Sequence, residues 1–225
     1  MIREYRSGSV DGFTTNPTLM LKAGARDYAE FSQSVLREIT SVPVCFEVIA
    51  DDLEDIAAQA RAISSWGANV FVKVPVCTTT GESTAPAIAE LARDGVKMNV
   101  TAVMSLTQVA DVLPALPTNV PAIISIFAGR IADTGRDPVP IMTEAVRMCS
   151  VYPNVRVLWA SPREVLNVYQ AEQCGCHIIA VTSDLRQKLT LRGKDLDEFS
   201  RETVKMFYDD AHKAGYRLEQ PIAAI

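Results

Sequence analysis

The sequence predicts an α/β fold with a parallel sheet. Two observations carry that reading. Apolar runs of strand length alternate along the chain with segments of helical periodicity, and several of those runs are apolar on consecutive residues, as strands buried on both faces are. With 225 residues, 48% of them apolar and 22% charged, the chain has the size and composition of one large domain with a real core.

The elements follow in order. Residues 2–7 read as the end of a helix, stopped at Gly8, and residues 10–17 as a short strand entering a loop. Across 27–39, Tyr28, Phe31, Val35 and Ile39 recur at three- and four-residue spacing, a helix with one apolar face. A strand at 42–49, a helix from an Asp51 cap to residue 66, and a strand at 69–76 come next. Helix 83–93 ends at Gly95, strand 97–103 leads to helix 106–113, and strand 122–127 runs into a polar loop through 133–137. Helix 139–150, strand 156–160, helix 163–173, strand 177–182 and a short helix at 184–189 continue the alternation. A last amphipathic helix, 196–214, carries Phe199, Val204, Met206, Phe207 and Ala211.

That makes seven strands, preceded by a helix with no strand before it. A (β/α)8 barrel has eight strands, each followed by a helix. The expected fold is therefore a (β/α)8 TIM barrel whose first strand is missing from the given sequence, plus a C-terminal helix; either the chain begins late or the barrel is incomplete. No repeat or linker divides the chain, so residues 1–225 are expected to form one barrel domain.

Bulk properties narrow the function classes. A net charge of −5 without a basic block argues against a nucleic-acid partner. No apolar run approaches the roughly 18 residues of a membrane span, and the N-terminus lacks a signal peptide's apolar stretch, so no membrane partner and a cytoplasmic home are expected. The five cysteines are an odd number scattered through the chain, unlike a disulfide framework. Cys174-Gly175-Cys176-His177 has no second Cys or His pair to complete four ligands, and no metal is expected.

The chemistry is concentrated in Asn69-Val70-Phe71-Val72-Lys73-Val74-Pro75-Val76, one lysine inside an apolar run. Alternation puts Val70, Val72, Val74 and Val76 on one face and Phe71 with Lys73 on the other. Loss of hydration on burial favours the neutral amine, a nucleophile towards carbonyls, which makes a Schiff base the chemistry to consider first. The alternative is a lysine near the strand end that snorkels to water or pairs with a carboxylate. The same pattern recurs on other strands. Glu47 lies opposite Val44, Phe46 and Val48; Asn99 and Thr101 share a face; Ser125 and Phe127 share a face, with Arg130 just beyond; Ser161 and Arg163 follow the strand ending at Ala160. Five strands with polar groups of one parity near their C-terminal ends point to a shared active site, where barrel enzymes gather their catalytic groups. Arg130 and Arg163 with Ser161 fit a bidentate anion site, unless both arginines are merely solvated on loops.

At Thr14-Thr15-Asn16-Pro17, Lys73-Val74-Pro75 and Asn99-Val100-Thr101 together, the chain resembles the transaldolases, in particular the small single-barrel group that includes fructose-6-phosphate aldolase. The resemblance runs from about Val10 to the final helix. It implies a cofactor-free enzyme in which Lys73 forms a Schiff base with a ketose phosphate and a dihydroxyacetone unit is transferred between sugar phosphates. Asn16 and Asn99 would bind donor hydroxyls, with Ser125 lining the pocket. Glu47 and Thr101 match the pair that holds a catalytic water, and Arg130, Ser161 and Arg163 match the phosphate-binding trio. Glu47 and Phe127 stand where the aldolases of this group carry Gln and Tyr, so the chain resembles the transferases; Phe127 cannot donate a proton to quench the bound carbanion.

The resemblance also implies a place in carbohydrate metabolism, by default the pentose phosphate pathway, and a homo-oligomer, a pentamer or decamer, with the helix at 195–215 in the subunit contact. In one respect the chain departs from it: the family's first strand carries an acid/base aspartate, and no residue here matches. Two alternatives to the transferase therefore stay open, a fructose-6-phosphate aldolase-like enzyme and a non-catalytic sugar-phosphate-binding barrel.

Overall fold

The computed structural model describes residues 1–22, 24–116 and 119–218. Two compact units are distinguished, residues 1–185 and 186–225.

In the first unit, seven strands form one all-parallel sheet in sequence order. They are β1 (Phe13–Thr14), β2 (Val44–Glu47), β3 (Val70–Pro75), β4 (Met98–Val103), β5 (Ala122–Ile126), β6 (Val155–Trp159) and β7 (Ile178–Ile179). Parallel neighbours need a crossover, and here helices supply it. After α1 (Ile2–Arg6) come α2 (Pro17–Lys22), α3 (Tyr28–Glu38), α4 (Leu53–Ser64), α5 (Ala85–Arg93) and α6 (Leu106–Val112), then α7 (Ala128–Asp133), α8 (Val139–Cys149), α9 (Leu166–Gln173) and α10 (Ser183–Lys188), the last crossing into the second unit. Among the described residues β1 pairs only with β2, and β7 only with β6.

Strand order that never reverses puts every crossover on the same face, because such connections are right-handed. The side chains agree. Val70, Val72, Val74 and Val76 are buried with Ile56, Ala60, Ile88 and Leu91 of the helices, in a layer between sheet and helices. A separate small cluster of Ile123, Leu158 and Ala160, with Phe71 and Phe127 against it, lies on the opposite face. Lys73 and the other polar residues of its parity share that second face, as alternation requires.

Local chemistry sets the helix starts. Asp27 accepts from Glu30 N at 2.8 Å to cap α3, and Ser105 and Gln108 form a reciprocal capping box on α6. The cap of α4 is Asp52, not Asp51 as the sequence predicts; Asp52 accepts from Glu54 N at 2.9 Å. Asp51 instead accepts from Thr79 N–H at 2.6 Å and from the Thr79 hydroxyl, tying the loop after β2 to the loop after β3. Those bonds hold its carboxyl below the usual carboxylate range. Ile49, inside the strand expected at 42–49, lies past the end of β2 and is 67% exposed. The helices α2 and α7 fall where the sequence predicts loops.

The second unit holds α11 (Leu196–Lys213), capped by Asp195, which accepts from Glu198 N at 2.9 Å. None of its residues is buried. The predicted domain's last residues, 219–225, lie outside the described residues. Among the described residues no helix is long and apolar enough to cross a membrane.

Candidate active site

Register assembles the centre of the site. Glu47 of β2 pairs with Lys73 of β3, and Lys73 pairs with Asn99 of β4, so three polar side chains stand in one row across adjacent strands. Lys73 is buried, its side chain 6% exposed, and Nζ donates to Glu47 Oε2 at 2.8 Å. A second bond runs from Nζ to the Thr15 carbonyl at 2.7 Å. A buried ammonium without such partners would be very costly. The ion pair and the carbonyl explain how an apolar strand tolerates this residue.

The Thr15 carbonyl is available because β1 stops short. Phe13 N donates to Pro43 O and Thr15 N to Cys45 O, the regular parallel ladder, which would next send Glu47 N to Thr15 O. Instead Glu47 N–H donates to the Tyr28 hydroxyl at 2.7 Å, and that hydroxyl donates to Glu47 O at 2.7 Å. Tyr28 of α3 thus stands in for the missing rung and leaves Thr15 O to the lysine. Burial, the largest influence, pushes the Tyr28 phenol up to about 12, so it keeps the proton it donates. Tyr28 reads in the sequence only as one apolar position of a helical stripe, and the Thr15 carbonyl carries no side-chain signal at all.

A second chain of bonds orients Asn99. Its Oδ1 accepts from Ser125 Oγ at 2.6 Å, and its Nδ2 donates to Cys45 Sγ at 3.5 Å. Burial raises the pKa of the Cys45 thiol, keeping it neutral beside Lys73. Thr101 is buried and its hydroxyl has no hydrogen-bond partner among the described residues. The residue after it explains the placing: Ala102 has φ +62°, and the pairing of β4 with β5 shifts register between Val100 and Val103. A bulge of this kind re-aims the side chains around it, at the cost of a backbone region that L-residues avoid. Asn16 has a task not foreseen. Its Oδ1 accepts from Leu19 N at 2.7 Å, capping α2, with Pro17 in the first helical position.

The predicted anion residues lie after β5 and β6. Phe127 packs against the inner cluster and Arg130 sits on α7, exposed and without a partner among the described residues. Ser161 has φ +59°. It passes so close to α7 that a Cβ on Gly129 would lie 1.6 Å from Ser161 O and 3.2 Å from Arg163 Nε. Only glycine permits this approach. Arg163 Nε donates to Asp133 Oδ1 at 3.1 Å and its Nη2 donates to Asp133 Oδ2. The sequence reading did not single out Gly129 or Asp133. No group of three or more His, Cys, Asp or Glu among the described residues is arranged to hold a metal.

Glu47 and Lys73 thus form a pair in register, with buried Asn99, Thr101 and Ser125 on the neighbouring parallel strands. Residues 1–218 match the family model "Transaldolase/Fructose-6-phosphate aldolase". The chain belongs to the transaldolase/fructose-6-phosphate aldolase family. A "Probable transaldolase" of Bdellovibrio bacteriovorus is 31% identical over 208 residues, covering 92% of this chain and 90% of the relative. Another, from Methanococcus maripaludis, is 35% identical over 193 residues, 84% of each chain. Among solved structures, a putative phosphonomutase of Burkholderia cenocepacia matches with a TM-score of 0.52 at 14% identity, covering 91% of this chain and 89% of that one. That last likeness concerns the fold alone. That membership puts the chain among transaldolase-type enzymes.

Proposed function

We propose that this chain is a transaldolase that moves a dihydroxyacetone unit from a ketose phosphate to an aldose phosphate through a Schiff base on Lys73, inside a (β/α)8 barrel. The observation that carries the reading is the buried Lys73 amine, 2.8 Å from Glu47 Oε2 and 2.7 Å from Thr15 O. The Glu47 carboxylate takes the ammonium proton, and the free amine attacks the donor's C2 carbonyl. The resulting carbinolamine loses water to give the iminium, with the proton returned by Glu47. A water between Glu47 and the unpartnered Thr101 hydroxyl is the relay, and Thr101 Oγ1 is a buried group that such a water would satisfy. Asn99, held by Ser125 and Cys45, and Asn16, through the amide group not used as a cap, bind donor hydroxyls. Cleavage between C3 and C4 follows when the water held by Glu47 and Thr101 passes the C4 hydroxyl proton to the Glu47 carboxylate, which releases an aldose and leaves the three-carbon enamine on Lys73. The apolar Phe127 ring offers that carbanion no proton, which favours attack on an acceptor aldehyde over release of free dihydroxyacetone.

Arg130, Ser161 and Arg163 bind the substrate phosphate. No cofactor is assigned. The exposed Phe199, Val204, Met206 and Phe207 of α11 support a homo-oligomer with this helix in the contact, and its five- or tenfold count rests on the family resemblance alone.

Borohydride reduction in the presence of fructose 6-phosphate, followed by peptide mass analysis, tests the imine. A covalent adduct on Lys73, absent in Lys73→Met, is expected; no adduct refutes the Schiff base. A coupled assay with and without erythrose 4-phosphate then separates transfer from simple aldol cleavage: product that forms without acceptor refutes the transferase reading. An adduct without turnover identifies a chain that stops before carbon–carbon cleavage.

A further inference from the structure

We infer that Asp133 is a positioning residue for the phosphate site: it fixes the Arg163 guanidinium so that one edge is always presented to the phosphate of a sugar-phosphate substrate. This rests on the reading of Arg163 as a phosphate ligand given above.

The geometry divides the guanidinium in two. Asp133, the last residue of α7, accepts from Nε at 3.1 Å and from Nη2, so it occupies the side edge. A guanidinium has five N–H donors. Three remain, one on Nη2 and two on Nη1, and they form the terminal edge that matches a pair of phosphate oxygens. Phosphate binding therefore does not require Asp133 to let go.

Arg163 is held at both ends. Its backbone N–H donates to Asn167 Oδ1 at 2.7 Å, and Asn167 is itself oriented through Nδ2 by Gln170 Oε1 at 2.9 Å. Gly129 gives the side chain its room, since a Cβ there would stand 3.2 Å from Arg163 Nε. Stability does not account for the arrangement. The Arg163 and Asp133 side chains are 48% and 51% exposed, and an ion pair so wet contributes little to folding. Its effect falls on order: a side chain with several free torsions is set in one orientation before the ligand arrives. The Asp133 carboxylate also repels a phosphate, but it acts from the far side of the guanidinium and through solvent. Orientation and repulsion push affinity in opposite directions, which makes the sign of the effect decisive.

The experiment measures KM and kcat for a phosphorylated ketose donor and for its unphosphorylated counterpart in D133A, D133N and R163A. For D133A the KM of the phosphorylated donor rises about five- to tenfold, the size expected for ordering one long side chain. Its kcat stays within about twofold, and the unphosphorylated donor is unaffected. D133N, which keeps an acceptor for Nε–H, falls between wild type and D133A. An unchanged or lowered KM in D133A, or a loss shared equally by both donors, overturns the inference. R163A separates the two levels. If it selectively weakens the phosphorylated donor while D133A and D133N do not, only the role of Asp133 is wrong. If R163A fails to discriminate the two donors, the phosphate assignment falls and the inference with it.

Discussion

Gly129→Ala tests how the candidate anion site is assembled. A Cβ at position 129 would lie 1.6 Å from Ser161 O and 2.7 Å from its carbonyl carbon, so one main chain must retreat by about 1.8 Å to reach the 3.4 Å of ordinary contact. Neither side yields easily. Gly129 N–H donates to Ala160 O at 3.4 Å, Ser161 already sits at φ +59°, and Asn167 anchors the next turn through Arg163 N–H. Overpacking typically costs about 1–3 kcal/mol, and a backbone obstacle puts this case at the upper end. For a chain of this length each kcal/mol lowers Tm by roughly 2–4 °C, so a fall of about 5–10 °C is expected by circular dichroism. Moving Ser161 and Arg163 by more than an ångström should also cost about 10²-fold in kcat/KM for a phosphorylated donor. Imine trapping on Lys73 at saturating donor should survive, because Glu47 and Thr15 are untouched. A Gly129→Ala protein with wild-type Tm and wild-type preference for phosphorylated donors would refute the close approach of α7 to Ser161.

Much of this arrangement is legible in the chain, and the illegible parts share a physical cause. The strands β2 to β5 are visible because each is buried on both faces, and the same burial makes Lys73 stand out and fixes its parity with Glu47, Asn99, Thr101 and Ser125. The helices α2 and α7 are not visible. Each has six residues, under two turns, too short for a 3.6-residue period to declare itself, and α7 contains Gly129. Asp51 and Asp52 are equally good caps on paper; only the bond from Thr79 decides between them. At 177–182 the apolar run is longer than the pairing, which covers Ile178–Ile179 alone. The groups that place Lys73 and Arg163 are hidden more deeply. A main-chain carbonyl at Thr15, a tyrosine hydroxyl on an otherwise apolar stripe and an aspartate thirty residues from Arg163 all act through contacts that only the folded chain creates.

Two further perturbations bear on these contacts. Burial, the larger influence, and the nearby charge of Arg156 hold the His177 imidazole below its ordinary value of 6.5. The unfolded chain therefore takes up this proton first: the contribution to stability is complete above about pH 6.5 and declines as pH falls from there towards the lower folded value. Urea midpoints between pH 7.5 and 5.5 should show the decline, and His177→Asn should flatten it; an unchanged slope would remove His177 as its source. Tyr28→Phe tests the idea that a hydroxyl replaces a strand. It leaves Glu47 N–H and C=O without the partner each has at 2.7 Å. An orphaned buried polar group costs about 1–3 kcal/mol, so the urea midpoint should fall with little change in m. The damage should be specific as well as general. With Tyr28 gone, Glu47 N–H competes with Lys73 Nζ for Thr15 O, and imine formation should slow relative to wild type at matched folded fraction. Equal stability and equal trapping rate would mean that β1 stops at Thr14 for some other reason, and that the lysine does not depend on Tyr28 for its carbonyl.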